Sequence, residues 1–111
     1  MKTLLFKTQE QIDHIMKMDR NSEVKLTVRR GCKWNYNEDM EIRVEEEGTY
    51  TSIAFGDVIY TKLKKFSECK EEILSSHFMF FDYEQELQHL KSVYKDFTED
   101  EIITLVYFKI K

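Results

Sequence analysis

From Arg20 to Tyr36 the chain gathers Arg20, Lys25, Arg29, Arg30 and Lys33 against a single acid, Glu23, and sets Trp34 and Tyr36 among them. Guanidinium and ammonium groups neutralise phosphates, and exposed aromatic faces stack on bases at about 1–3 kcal/mol each. These residue types in this order fit an anionic or nucleotide-like ligand. Lys25, Arg29, Arg30 and Lys33 would meet phosphate, Thr27 shares the strand face of Lys25 and Arg29, and Trp34 or Tyr36 would stack. The sign then reverses. Between Asn37 and Glu47 only Arg43 stands against Glu38, Asp39, Glu41, Glu45, Glu46 and Glu47. A solvated strand edge whose charges pair with this acidic hairpin beside it would leave the same trace, and both readings stay open.

Other reactive side chains give less. Glu86 and His89 have the i, i+3 spacing of a di-iron ligand pair, but that chemistry needs a second pair and further carboxylates. His14 and His77 have no ligand partner at useful spacing, so no metal is expected. Cys32 lies beside basic residues that would lower its pKa, yet no Cys/His/Asn arrangement accompanies it. Gly31, Gly48 and Gly56 are scattered and form no phosphate-cradling loop, which argues against ATP-dependent chemistry; no cofactor is implied. The run from Phe78 to Phe81 reads as a core plug between two helices, with a partner-binding patch as the alternative.

The elements that must hold these residues follow from length and patterning. A chain of 111 residues has room for one domain, 1–111. With 41% hydrophobic, 14% aromatic and 34% charged residues it has enough apolar matter for a core. A net charge of -4 makes it a poor nonspecific binder of nucleic acid or anionic membrane, so any such binding needs a local patch. The longest apolar run, Phe78 to Phe81, falls far short of the ~20 residues of a membrane span. Leu4 to Phe6 is cut off by Lys7, which gives no signal peptide. Cys32 and Cys69 form no framework, which suits a reducing cytoplasm. Ala54 is the only alanine and proline is absent, which reads as the codon bias of an AT-rich, bacterial or phage genome.

Thr3 to Lys7 reads as a strand. Thr8-Gln9-Glu10-Gln11 has capping-box form and opens a helix with Ile12, Ile15 and Met16 inward. Val24 to Arg30 alternates, with Val24, Leu26 and Val28 on one face and Lys25, Thr27 and Arg29 on a polar face. Met40, Ile42 and Val44 alternate likewise, before a turn at residues 46–49. From Tyr50 to Phe66 the alternation changes parity at Gly56-Asp57, as a bulge in one long strand or a hairpin between two, the bulge being preferred. Ser67 caps a helix to Leu74, with Phe66, Cys69 and Ile73 inward. Asp82 caps a longer one, with Tyr83, Leu87, Leu90 and Tyr94 along one face. Thr98 to Glu101 is a turn, and Ile102 to Ile110 is apolar on both faces, as in a strand covered twice. The order is βαβββααβ and the class α+β, with a sheet expected to curl into a small barrel plugged by helices.

This pattern resembles the ASCH domain, a single-domain relative of the PUA-like barrels, over roughly residues 3 to 110. The resemblance rests on the leading helix with Ile12 and Ile15, the basic strand from Val24 to Arg30, and Asn37 to Ile42, which keeps the family's Asp and loses its Gly. It continues in the Phe66-Ser67-Glu68 helix start and in Leu90 to Tyr94 followed by Ile103 to Lys109. It implies a small β-barrel of five to six mostly antiparallel strands with about three helices, and a cleft for RNA or a modified nucleoside beside the basic strand. Some small relatives are amidohydrolases that deacetylate N4-acetylcytidine with a lysine, a threonine and a glutamate, in a Gly-x-Lys-Thr-x-Thr-x-Arg pattern. Aligned on Arg29, Thr27 falls on the threonine and Val24 replaces the lysine; aligned on Arg30, Lys25 falls on the lysine and Val28 replaces the threonine. The glutamate would fall near residues 76–82, which hold none. The leading expectation is therefore a non-enzymatic binding module for RNA or a nucleotide-like ligand at Lys25, Thr27, Arg29, Arg30, Lys33, Trp34 and Tyr36. The alternatives are an amidohydrolase using Lys25 and Thr27, and a protein-interaction domain using Phe78 to Phe81.

Overall fold

Two hydrophobic faces on one C-terminal strand organise the molecule. The computed structural model describes residues 2–6, 9–18, 24–31, 41–46, 51–79 and 82–111. Its elements run β1 (Lys2–Phe6), α1 (Gln9–Met16), β2 (Lys25–Arg30), β3 (Glu41–Glu46), β4 (Thr51–Lys65), a 3-10 turn (Phe66–Glu68), α2 (Lys70–Ser76), α3 (Tyr83–Val93) and β5 (Ile102–Ile110). The strands form one sheet in the order β1-β3-β4-β5-β2. β1 runs parallel to β3 and the remaining pairs are antiparallel.

This corrects the expected barrel: the sheet is open. Among the described residues no backbone pairing joins β1 to β2, the two edges. The physical reason lies in β5. A small closed barrel buries one face of each strand inside itself, whereas β5 feeds two separate cores. Val106, Phe108 and Ile110 pack with Leu4, Phe6, Ile12 and Ile15 under α1. Ile103, Leu105 and Tyr107 pack with Leu26, Val28, Ile73, Leu87 and Leu90 under α2 and α3. The sheet is the middle layer of an α+β stack, and each fully buried large side chain contributes about 1.5–3 kcal/mol.

Local patterning accounts for most elements. Ile12 and Ile15 hold α1 to the sheet, but Met16 is 48% exposed and Met18 takes the buried place instead. The proposed Thr8 cap and the turn after β3 lie outside the described residues. Asp82 caps α3 by accepting the Glu84 N–H at 2.8 Å. Ser67 caps nothing: it sits inside the 3-10 turn, and α2 starts from Cys69 without a side-chain cap. β4 is a single long strand whose register against β5 slips between Val58 and Tyr60, so the bulged residue is Ile59, not Gly56. Gly56 has a different purpose, since a Cβ there would collide with the Lys109 carbonyl oxygen.

Candidate functional site

β2 is an edge strand whose side chains divide between the two cores. Leu26 and Val28 turn to the α2/α3 side. Lys25, Thr27 and Arg29 turn to the α1 side, paired in register with Phe108, Val106 and Thr104. This face is less open than the alternation suggested. Thr27 is buried, and Lys25 and Arg29 are half-buried. The Arg29 guanidinium carbon lies 4.9 Å from the centroid of the Phe6 ring, a cation–π contact worth about 0.5–2 kcal/mol depending on desolvation. In the same row, Thr104 of β5 separates Arg29 from Leu63 of β4. Leu63 and Ile102 are 56% and 44% exposed, so a cationic and an apolar surface adjoin on this side.

The strand leaves this face at Gly31, whose φ of +86° a side chain would strain. Gly31 is pinned there: its N–H donates to the Ile102 carbonyl at 3.1 Å and its carbonyl accepts the Thr104 hydroxyl at 2.7 Å. Cys32, Lys33, Trp34 and Tyr36 follow and lie outside the described residues.

Arg30 is used otherwise. Its Nε and Nη2 donate to the two Glu101 carboxylate oxygens at 2.7 and 3.2 Å, and Nη1 donates to Asp96 at 2.9 Å. Its guanidinium also covers the Tyr94 ring at 5.1 Å. These hydrogen bonds raise the Arg30 pKa and hold the Asp96 and Glu101 carboxyls below their usual range. These two acids that meet Arg30 come from the connection between α3 and β5. The acidic β3 is no neighbour of β2, because β4 and β5 lie between them.

Sequence reasoning missed a second polar cluster beside β2. After α2 the chain extends at His77, which bridges Leu26 in parallel, and the Phe78 N–H donates to the Leu26 carbonyl at 3.1 Å. His77 and Glu86 are each 2% exposed, with His77 Nε2 3.1 Å from Glu86 Oε2. The alignment of that contact falls short of a hydrogen bond at Oε2. His77 Nδ1 accepts the Met79 N–H at 3.0 Å, which leaves Nε2 as the nitrogen to carry the ring proton. The imidazole stacks on Phe78 at 5.0 Å, and Phe78 meets the Phe6 ring edge-on at 5.1 Å. One signal could have found this. Glu86 falls on the apolar stripe of α3, three residues after Tyr83 and four before Leu90, where a carboxylate needs an internal partner.

His89, one turn along α3, is half-buried, with Nε2 3.5 Å from the Gln11 side-chain amide of α1. Desolvation lowers its pKa, opposed by Glu86. Glu84, Gln85, Gln88 and His89 line an open groove of about 520 Å³. Among the described residues no three His, Cys, Asp or Glu side chains converge to hold a metal ion. The Cys69 thiol is buried and donates to the Lys65 carbonyl at 3.3 Å, and burial pushes its pKa up to about 11, away from the thiolate form a nucleophile needs. Phe78 and Met79 are core residues of the α1 side. Phe80 and Phe81 lie outside the described residues. No helix among the described residues is long and apolar enough to cross a membrane.

Fold and site together define a small layered α+β domain with a cationic sheet edge and a buried His–Glu contact beside it. Set against known proteins, the chain matches no protein-family model, no curated protein and no solved structure.

Proposed function

We propose that the chain is a binding module for RNA or a nucleotide-like ligand, which it holds at the α1-side face of β2. One observation supports this reading above others: Lys25, Thr27 and Arg29 share one face of an edge strand, with Arg29 laid over Phe6 and exposed Leu63 and Ile102 nearby. Cations beside an apolar floor suit a ligand with a phosphate and a planar base. Arg30, tied to Asp96 and Glu101, serves the fold in this reading; Lys33, Trp34 and Tyr36 lie outside the described residues, and the reading adds them on their residue types alone. The test is titration of the chain with a labelled small-RNA panel and with mononucleotides, read by Trp34 fluorescence. Binding should weaken steeply with salt, and Lys25→Gln with Arg29→Gln should lower it together. No binding at ~50 mM salt rejects the reading.

A second reading, an amidohydrolase acting on an acylated cytidine, gains from the Glu86 contact. Glu86 touches His77, and His77 bridges Leu26, whose chain neighbours are Lys25 and Thr27. A carboxylate thus enters the neighbourhood where the sequence offered none. Chromatography of N4-acetylcytidine incubated with the chain decides it. Product that disappears in Lys25→Ala and Glu86→Gln favours hydrolysis, and no product at high enzyme removes it.

A further inference from the structure

The helices leave part of the sheet uncovered. On the α2/α3 side, Leu26, Val28, Ile103 and Leu105 are packed under helices. Further along on β4, Phe55 and Tyr60 stay 45% and 39% exposed in mid-strand. The Ile59 bulge is what brings Tyr60 to this side. It shifts the register so that Tyr60 pairs with Tyr107, and the two rings stack at 4.3 Å and 13°. Asp57 pairs with Lys109 between Phe55 and Tyr60, and Lys62 pairs with Leu105 beyond them. Lys62 is exposed and Lys109 half-buried. The Asp57 carboxylate lies 3.5 Å from Lys111 Nζ. This strip thus carries two part-exposed aromatic rings together with Lys62, Lys109 and Lys111, against Asp57, to which Lys111 is paired. On the far flank, register puts Arg43 opposite Phe55 and Glu41 opposite Asp57. Lys109 and Lys111 add positive charge on the β5 side of the rings.

We propose that this strip is a stacking surface for single-stranded nucleic acid, with bases on Phe55 and Tyr60 and the phosphates tracked by Lys62 and Lys109. Half-exposed rings interleaved with lysines on a sheet offer π-faces to any base and counter-charge to the backbone. Charge selects this occupant over a protein. Among the described residues Asp57 and Lys109 interrupt the apolar surface between Phe55 and Tyr60, which suits a polyanion with planar bases better than an apolar protein face. The strip lies on the opposite face of the sheet from Lys25 and Arg29, so variants at each face test the two sites separately.

The experiment is fluorescence anisotropy of the full chain with a labelled single-stranded RNA of about ten nucleotides, a length within ordinary site sizes. Tyr60→Ser and Phe55→Ser should each weaken binding by about fivefold or more, the loss of one stacked base. Tyr60→Phe, which keeps the ring, should stay within about twofold of the parent. Lys62→Glu and Lys109→Glu should weaken binding and flatten its salt dependence. Circular dichroism shows which variants fold. Should Tyr60→Ser not fold, Phe55→Ser and Lys62→Glu carry the test. Unchanged affinity in those variants overturns the proposal, even where Lys25→Gln and Arg29→Gln abolish binding at the other face. No RNA bound at ~50 mM salt overturns it too. So does a dimer that Phe55→Ser dissolves, which would give the strip to a second copy.

Discussion

The Arg29 guanidinium lies over the Phe6 ring at 4.9 Å, so the two edge strands of an open sheet touch through their side chains. In hydrogen-bond order β1 and β2 are as far apart as the sheet allows. Strand twist and coiling bring their faces back together, and Phe6 fills the gap with contacts to Phe78 and Phe108 as well. The sheet nevertheless stays open, with no backbone pairing between these edges among the described residues.

That contact predicts a measurable coupling. Phe6 is 2% exposed, and Phe6→Ala should lower stability by about 3–5 kcal/mol in denaturant unfolding. Arg29→Met keeps most of the stem and removes the charge. A double-mutant cycle with Phe6→Leu should return a coupling of about 0.5–2 kcal/mol. A coupling indistinguishable from zero would show the guanidinium to be a bystander.

The His77–Glu86 contact separates two conservative changes. Glu86→Ala removes the buried carboxylate that lies 3.1 Å from His77 Nε2 and should destabilise by about 1–3 kcal/mol. Glu86→Gln keeps a polar group of the same shape facing Nε2 and should lose clearly less. Equal losses in urea titrations of the two variants would mean that the site is held by packing against Phe78 alone.

Arg30 sets the acid limb of stability. Its hydrogen bonds hold Asp96 and Glu101 below their ordinary values of 3.8 and 4.5. Depressed carboxylates contribute stability that is present above the unfolded values and lost as pH falls through the folded ones. Arg30→Gln should therefore be less stable than the parent at pH 7, with the gap narrowing below pH ~4.5 and shrinking in salt. A gap that stays constant down to pH ~3 would contradict the pairing.

The sequence exposed what depends on one element at a time. The apolar residues on both faces of Ile102 to Ile110 and the Asp82 cap were visible because each is a periodicity or a short local motif. The Thr98 to Glu101 turn, in which the Glu101 carboxylate accepts the Thr98 N–H at 2.8 Å, was visible for the same reason. What depends on strand order was hidden. Basic β2 and acidic β3 follow each other in the chain, yet two strands separate them, so the carboxylates that engage Arg30 come from beyond α3. Parity located a register change in β4 but not its position, because Gly56 suggests a bulge while the slip falls at Ile59. Barrel closure, implied by the ASCH resemblance, requires a pairing between chain-distant edges that no local pattern encodes. Glu86 and His77 escaped because their partnership crosses the loop between α2 and α3, although Glu86 alone broke the apolar stripe of α3.

His89 gives the neutral-pH limb, with the opposite origin to Arg30. Burial lowers its pKa from the ordinary 6.5, with His77 and Arg29 adding to the lowering and Glu86 and Glu10 opposing it. The unfolded chain then takes up the proton more readily than the folded one. This group therefore leaves stability untouched above pH ~6.5 and reduces it progressively as pH falls from there to the folded pKa. Gln11 sharpens the effect, since its side-chain amide, 3.5 Å from Nε2, can donate to the neutral ring but not to the imidazolium. His89→Gln should flatten the decline between pH ~6.5 and ~5 without changing stability much at pH ~8. The direct reading is an NMR titration of the His89 ring, expected below the value for free histidine. A midpoint at or above that value would mean that the carboxylates of Glu86 and Glu10 outweigh burial, and the groove beside α3 would then hold a cation where the geometry places a neutral ring.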